Sequence, residues 1–232
     1  MDINSNKYTY TFAIILVVVV AALLSFASIG LKPFQQKNIV LEKKQNILKS
    51  INIVVERDQA DEAYDKYIKE SLVIQNGKVV SDPKVPAFDI DMAEAIRSST
   101  DERSVPLYVA DKDGERYYIV PLRGKGLWGP IWGYIALKDD ANTVAGATFD
   151  HQGETPGLGA EIAQQAFQDE FTGKRIMDDD GDFKSIRVVK KGQASDDFQV
   201  DGISGGTITS NGVDAMIEDN FKSYIGYFSS LK

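Results

Sequence analysis

An uninterrupted apolar run near the N-terminus dominates the hydropathy pattern. Residues 11–31 contain no charged side chain. About 20 helical residues rise about 30 Å, which matches the hydrocarbon thickness of a bilayer. The pattern predicts a transmembrane helix over 11–31, preceded by a short tail, 1–10. A cleaved signal peptide is the alternative, because Ser25-Phe26-Ala27 resembles a small-x-small cleavage site, although the run is long for one.

Helical spacing of apolar residues continues after the span. It predicts a juxtamembrane helical region over 32–72. The positions that repeat are Val40, Leu41, Ile47, Leu48, Ile51, Ala60, Ala63, Tyr64, Tyr67, Ile68 and Leu72. Their spacing of three and four residues is typical of one buried helix face.

Runs of β-prone residues follow the predicted helical region. Two pairs of these runs are each separated by a short turn sequence. Asn76-Gly77 and Asp113-Gly114 are typical of two-residue hairpin turns. Further strands are predicted over 131–137, 144–149 and 186–189.

Two amphipathic stretches predict helices in the second half of the chain. They are residues 158–171 and 213–228, each with one apolar stripe. Strands and helices are mixed with hairpins, so the predicted fold class is α+β rather than a doubly wound parallel sheet, with one domain over 73–232.

Charge and composition narrow the function. The chain has 232 residues, a net charge of −8, no cysteine and one histidine. Residues 1–57 hold 7 of the 26 basic and 3 of the 34 acidic residues, so 58–232 carry 19 basic and 31 acidic residues, a net −12. An acidic domain disfavours nucleic acid as a partner. Thiol chemistry and cysteine-ligated metals are excluded, and redox work would need an organic cofactor.

The loop 201–210 is rich in glycine and hydroxyl residues. Gly205 and Gly206 leave backbone N–H groups accessible to a phosphate, and a helix predicted from about Ser210 would point its positive end there. Thr207 would offer a hydroxyl to that phosphate. An ordinary polar loop, in which Thr209, Ser210 or Asn211 caps the last helix, is the alternative.

A second polar stretch, 151–159, precedes the first predicted helix of the domain. His151, Glu154 and Thr155 could meet a ring system or a phosphate. The alternative is that Thr155 caps the helix with Pro156 at its first position. A lone histidine without a nucleophile does not indicate catalysis.

Residues 124–134 interleave glycines with aromatic residues. Trp128, Trp132 and Tyr134 could form a wall against a flat cofactor or complete the core instead. The acidic run 178–182 lacks the ligand spacing of a calcium loop and indicates a solvated turn, so no metal site is expected.

These three stretches, behind one N-terminal span, resemble the C subunit of Na⁺-translocating NADH:quinone oxidoreductases. They resemble less closely the G subunit of the Rnf electron-transport complex. The stretch GLWGPIWGY favours the first family, and ETPGLG and SGGTIT belong to the FMN-binding domain that both share. The resemblance covers essentially the whole chain.

The resemblance implies one covalent FMN. In the family a flavin transferase joins FMN by a phosphoester bond to the threonine that ends a D-x-x-S-G-A-T signature, here Thr207, with Gly206 where alanine is usual. Thr209 is the neighbouring hydroxyl with which it could be confused. The residues expected to hold the cofactor are Thr207, Ser204, Gly205, Gly206, Glu154, Thr155, Leu158, Gly159 and Trp128.

The resemblance also implies the biological setting. The chain would relay single electrons, with the other catalytic sites on partner subunits and no complete catalytic site of its own. Lysines between 32 and 49 favour a cytoplasmic domain by charge count. The family topology instead puts the tail 1–10 in the cytoplasm and the domain on the periplasmic face of the inner membrane. The alternatives are the equivalent Rnf subunit and a membrane-anchored extracytoplasmic binding domain without covalent cofactor.

Overall fold

The computed structural model describes residues 5–231. The chain divides into two compact units, Met1–Lys43 and Lys44–Lys232. The first unit consists of most of one long helix, and the second contains the sheet.

Helix α1 (Asn6–Ser50) is the one helix among the described residues that is long and apolar enough to cross a membrane. Its apolar side chains between residues 11 and 31 are exposed, as a lipid-facing helix requires. The helix continues through Pro33, so the predicted span and the start of the juxtamembrane helix are one element. The helix fits a single-pass membrane anchor.

Over its described residues, the second unit combines five further α-helices, three short 3₁₀ helices and eight strands. The helices are α2 (Ala60–Tyr67), α3 (Met92–Ala95), α4 (Gln165–Asp169), α5 (Thr207–Phe221) and α6 (Ile225–Ser229). The 3₁₀ helices are Arg57–Gln59, Ala87–Asp89 and Gly159–Ala163. The strands are β1 (Ile68–Gln75), β2 (Lys78–Val79), β3 (Ser104–Lys112), β4 (Glu115–Lys125), β5 (Pro130–Leu137), β6 (Val144–His151), β7 (Arg187–Val189) and β8 (Gln199–Asp201).

Six strands form one antiparallel sheet in the order β2-β1-β3-β4-β5-β6. Both predicted hairpins are confirmed. Asn76 and Gly77 take φ of 48° and 65°, and Asp113 and Gly114 take 58° and 82°, the left-handed values that a tight hairpin turn needs. The predicted α+β class is also confirmed.

Both faces of the sheet are buried. Along β3, Leu107 and Val109 face the cluster that contains α5 and α6, while Tyr108 and Ala110 face a second cluster. Ile47 and Ile51, from the end of α1 and the residue after it, belong to that second cluster. Strands buried on both faces read as continuous apolar runs rather than alternating ones.

The outer edge of β6 is occupied by other parts of the chain. The carbonyl of Val144 accepts from Gly173 N (2.9 Å), and its N–H donates to the carbonyl of Lys174 (2.8 Å). The Asn52 side chain donates to the carbonyl of Ala145 (3.2 Å). Gln168 donates to the carbonyl of Phe149 (3.0 Å). These edge carbonyls are therefore satisfied within the chain.

Several element predictions are wrong. The helix over 158–171 does not form, because a 3₁₀ helix and α4 are separated at Gln164, where ψ is 144°. The last predicted helix begins at Thr207, not near Ser210, and breaks before α6. Within the predicted helical region 32–72, α1 ends at Ser50, helical structure resumes from Arg57 to Tyr67, and β1 begins at Ile68. The sequence predicts the parallel pair β7–β8 only in part, through 186–189.

Candidate functional site

Three loops of the second unit meet at the start of α5. They are the β4–β5 loop, the segment after β6 and the loop between β8 and α5. Between them lies a shallow pocket of about 240 Å³. Its lining is Leu127, Glu154, Thr155, Leu158, Gly159, Gly205, Gly206, Thr207, Ile208 and Thr209. The structure thus brings together seven of the nine expected cofactor residues, but not Ser204 or Trp128.

The two threonines of the loop differ sharply in environment. Thr207 is exposed and is the first residue of α5, where the helix dipole is positive and N–H groups have no acceptor within the helix. Thr209 is 1% exposed, and its hydroxyl donates to Oε2 of Glu154 at 2.6 Å. Of the two, only Thr207 therefore presents its hydroxyl to a reagent arriving from solvent.

The loop before α5 is held by the backbone and by Ser210. Gly206 occupies the N-cap position, without a side-chain cap bond. The Ser210 hydroxyl accepts from Ile203 N at 3.0 Å, so Ser210 fixes the loop from within the helix. The alternative that Thr209 or Ser210 caps the helix is wrong.

Glu154 is buried, with 5% of its surface exposed. Its Oε1 accepts from the backbone N–H of Trp128 at 2.8 Å, and its Oε2 accepts from Thr209. Its own N–H donates to Nδ1 of His151 at 3.1 Å. The carboxylate therefore joins its own segment to the β4–β5 loop and to the first turn of α5, a role that the sequence did not reveal because the partners are 26 and 55 residues away.

The ionised form of Glu154 is favoured. Burial alone would raise the pKa of the carboxyl, but hydrogen bonds from the Thr209 hydroxyl and from the backbone of Trp128 and Gly129, with the nearby His151, lower the pKa below its usual value. The wall of the pocket thus contains a fixed negative charge.

Glycines allow the loops to approach closely. A Cβ on Gly159 would collide with Oε2 of Glu154 and Oγ1 of Thr209. Gly205 has φ +77°, and a Cβ there would lie 2.7 Å from Leu158. At Gly206 an alanine would lie 3.1 Å from the Ile203 side chain, which a small shift relieves. Gly206 and the usual alanine are therefore both compatible with this loop.

The expected aromatic wall does not form. Trp128 is 69% exposed and does not line the pocket, whereas its backbone N–H bonds Glu154. Trp132 lies against the guanidinium of Arg123, at 5.2 Å, and Tyr134 packs in the second core cluster. The three rings thus have separate surroundings.

The remaining predicted residues have local roles. The Thr155 carbonyl accepts from the N–H groups of Leu158 and Ala160, both at 3.1 Å, but its side chain caps no helix. Leu158 is 41% exposed and forms one side of the pocket. Ser204 is exposed beside the pocket. Among residues 5–231 no cluster of three or more His, Asp or Glu is arranged to hold a metal.

The sequence analysis did not identify two apolar residues that line the pocket, or one aspartate that stabilises the neighbouring loop. Leu127 and Ile208 are 46% and 57% exposed beside Thr207, and an apolar residue inside a glycine-rich polar loop was the available signal. Asp201, the first residue of the signature, accepts from the N–H groups of Gln193 (3.1 Å) and Ala194 (2.9 Å). Asp201 therefore connects the start of the loop to the segment before β8.

The class of protein follows from the fold and from a family comparison. Residues 126–222, which contain all three loops, match the model of the FMN-binding domain family. The chain thus combines α1, which fits a single-pass membrane anchor, with a segment that matches the FMN-binding domain family.

Whole-chain comparisons are more specific. The chain is 33% identical to the C subunit of the Na(+)-translocating NADH-quinone reductase of Haemophilus ducreyi, over 96% of this chain and 91% of that protein. It is 34% identical to the corresponding protein of Vibrio anguillarum, over 90% and 88%. The chain belongs to the family of Na⁺-translocating NADH:quinone reductase C subunits, which confirms the resemblance.

Solved structures agree. The crystal structure of the corresponding reductase protein from Parabacteroides distasonis has a TM-score of 0.78 and 45% identity, covering 86% of this chain and 97% of that one. Shewanella oneidensis NqrC has a TM-score of 0.68 and 27% identity, covering 82% and 97%.

The pocket fits part of an FMN better than the whole molecule. Exposed apolar side chains beside it suit a flat ring, and the N–H groups at the start of α5 suit a phosphate. Its 240 Å³ is below the roughly 300–1,000 Å³ of pockets that enclose a small ligand. The pocket alone would therefore enclose only part of the cofactor.

Proposed function

We propose that this chain holds one FMN in a phosphoester bond to Oγ1 of Thr207 and relays single electrons within a Na⁺-pumping NADH:quinone reductase. The observation that carries the proposal is the contrast between the exposed Thr207 hydroxyl and the buried, hydrogen-bonded Thr209 hydroxyl. A covalent bond also suits a pocket that encloses only part of the cofactor.

Each group of pocket residues has a separate role in holding the FMN. Thr207 supplies the oxygen of the ester, and Gly205 and Gly206 let the backbone approach the phosphate. The start of α5 stabilises the phosphate charge. Leu127, Leu158 and Ile208 shield one part of the ring from water. The flavin, when bound, supplies the redox chemistry.

The attachment needs a donor and an enzyme. The Thr207 hydroxyl loses its proton as its oxygen bonds to phosphorus. An ester forms at neutral pH only if a leaving group departs, so the donor class is a flavin dinucleotide whose phosphoanhydride bond breaks and which releases a mononucleotide. A flavin transferase would bind the loop 201–207 at its exposed residues Ser204, Gly205 and Thr207 and catalyse this exchange.

A matched pair of variants tests the attachment. Thr207→Val and Thr209→Val each replace a hydroxyl by a methyl group of similar size. With the transferase co-expressed, fluorescence that survives SDS should disappear in Thr207→Val and persist in Thr209→Val. The mass of the peptide 192–222 should increase by one FMN in the wild type.

The contrary results are equally definite. Fluorescence that persists in Thr207→Val would place the flavin elsewhere. A native protein with an unmodified peptide would refute the covalent electron carrier and favour a binding domain without covalent cofactor.

The orientation is part of the same proposal. We propose that the tail 1–10 lies in the cytoplasm and the domain on the outer face of the inner membrane, beside the other subunits. Protease added to intact spheroplasts should then cleave the domain. Protection in spheroplasts with cleavage after lysis would reverse the orientation.

A further inference from the structure

Glu154 is a buried negative charge beside the proposed flavin. It lines the same pocket as Thr207, and 5% of its surface is exposed. Its direct partners are uncharged donors, the Trp128 N–H and the Thr209 hydroxyl. Within residues 5–231, no Lys or Arg forms an ion pair with it. Its field is therefore only partly neutralised.

The carboxylate is also held rigidly. Both oxygens accept hydrogen bonds from separate segments, and the backbone positions of Gly126 and Gly159 lie against it so closely that a Cβ on either would collide. A charge in a fixed place and away from water acts more strongly on its neighbours than a solvated surface charge does. Reduction adds electrons to the flavin, and a nearby fixed anion opposes that addition.

We propose that Glu154 is a positioning residue whose buried charge also lowers the reduction potential of the flavin attached at Thr207. The inference rests on the proposed attachment and adds the residue that tunes the cofactor. It differs from the expectation that Glu154 cradles the flavin directly, because both carboxylate oxygens are occupied by the protein.

A purely structural role would predict a different outcome. A carboxylate accepts from two segments at once, whereas glutamine has one acceptor oxygen and an amide that donates. Glu154→Gln would therefore loosen the loops under either account. Only the electrostatic account predicts the direction in which the potential moves.

The test is a redox titration of the full-length chain with covalent flavin, after loading is verified by mass. Glu154→Gln should shift the midpoint potential upward. Glu161→Gln is the matched control. Glu161 is also a carboxylate that accepts a backbone hydrogen bond, from Gly157 N–H at 3.0 Å, but it lies outside the pocket. The variant therefore removes the same charge at a position that does not line the flavin site. Its shift should be clearly smaller.

Thr209→Val supplies an independent arm. It removes a donor to Glu154 but leaves the charge, which is then less neutralised, so the potential should shift downward. Loosening of the loops alone would not move the two variants in opposite directions. This arm also decides the question if Glu154→Gln does not fold or load.

The outcomes separate the two claims. A loaded Glu154→Gln protein with an unchanged or lower potential, or a Thr209→Val protein with an unchanged or higher one, overturns the tuning role alone. A wild-type chain without flavin on Thr207 refutes the attachment, and this inference with it.

Discussion

At the scale of single residues, the site depends on one carboxylate and the small residues around it. Through its two carboxylate oxygens, Glu154 joins the β4–β5 loop to the first turn of α5, and the absence of a side chain at Gly126 and Gly159 leaves space for it. Thr209, a hydroxyl that local sequence leaves open for modification, is occupied by this contact. Burial and hydrogen bonding therefore distinguish the two threonines.

Gly159→Ala should destabilise the domain by about 1–3 kcal/mol, because its Cβ would collide with both partners of the Glu154–Thr209 hydrogen bond. Chemical denaturation measures the change. Gly153→Ala is the control, since a Cβ there would meet open space. Equal effects of the two variants would contradict this account of the packing.

Glu154 should also make stability depend on pH. Its pKa is lowered in the folded state, so its contribution is present above the unfolded pKa of about 4.3 and is lost as pH falls through the folded pKa. Glu154→Gln should therefore cost about 1–3 kcal/mol at pH 7, and the difference from wild type should shrink in acid. Denaturation curves at pH 7 and in steps below pH 4 measure it; a constant difference would contradict the assignment.

Some features of single residues in the site can be predicted from the sequence, and others cannot. The resemblance of its signature predicts Thr207, and the exposure of that residue supports the choice. The partnership of Glu154 with Thr209 spans 55 residues, and no local pattern indicates it. The backbone N–H of Trp128 bonds Glu154, a contact that the expectation of a Trp128 ring at the cofactor did not include. Contacts set by tertiary packing are invisible in a local pattern.

At the scale of secondary-structure elements, the local sequence predicted the hairpin turns more accurately than the helices. Asn76-Gly77 and Asp113-Gly114 determine their own backbone, so both hairpins were found. The apolar stripe of residues 158–171 instead serves a 3₁₀ helix and a short α-helix, because Gln164 is extended between them. Apolar spacing records burial, and several backbone paths can bury the same side chains.

The contact between α5 and the start of β3 offers an element-scale prediction. Arg103 is 5% exposed and forms two hydrogen bonds to Asp219, at 2.8 and 3.3 Å. Asp219→Asn removes the counter-charge of a buried guanidinium and should cost about 1.5–3 kcal/mol, near the lower end because Asp219 is half exposed.

The adjacent residue provides the control. Glu218→Gln breaks a surface pair with Lys222 and should cost at most about 1 kcal/mol. Urea denaturation of both variants makes the comparison. A larger loss for Glu218→Gln would show that the Arg103 pair does not anchor α5.

At the scale of the whole molecule, the end of the membrane helix is also part of the soluble domain. Ile47, Leu48 and Ile51 are fully or almost fully buried within the second unit. Lys112 donates to the carbonyl of Ile51 at 3.0 Å, which satisfies a backbone group just beyond the helix. The last residues of α1, from Lys44 onward, therefore belong to the core of the second unit.

Two truncations test this. A chain that begins at residue 34 lacks the apolar run and should be soluble and folded. A chain that begins at residue 53 loses three core side chains, worth about 1.5–3 kcal/mol each, and should melt much lower or not fold. Circular dichroism during heating measures both. Similar melting of the two chains would show that the end of α1 is dispensable.

The occupied edge of β6 determines how the domain can meet its neighbours. Many proteins bind a partner at an exposed sheet edge, where a strand of the partner forms main-chain hydrogen bonds with the edge strand. Here that route is closed on one side by residues 52, 168, 173 and 174, while β2 at the opposite side has only two residues. A partner that meets the β6 side of the sheet must therefore bind through side chains and loop surfaces, whose shape and charge can discriminate between partners in a way that backbone pairing does not.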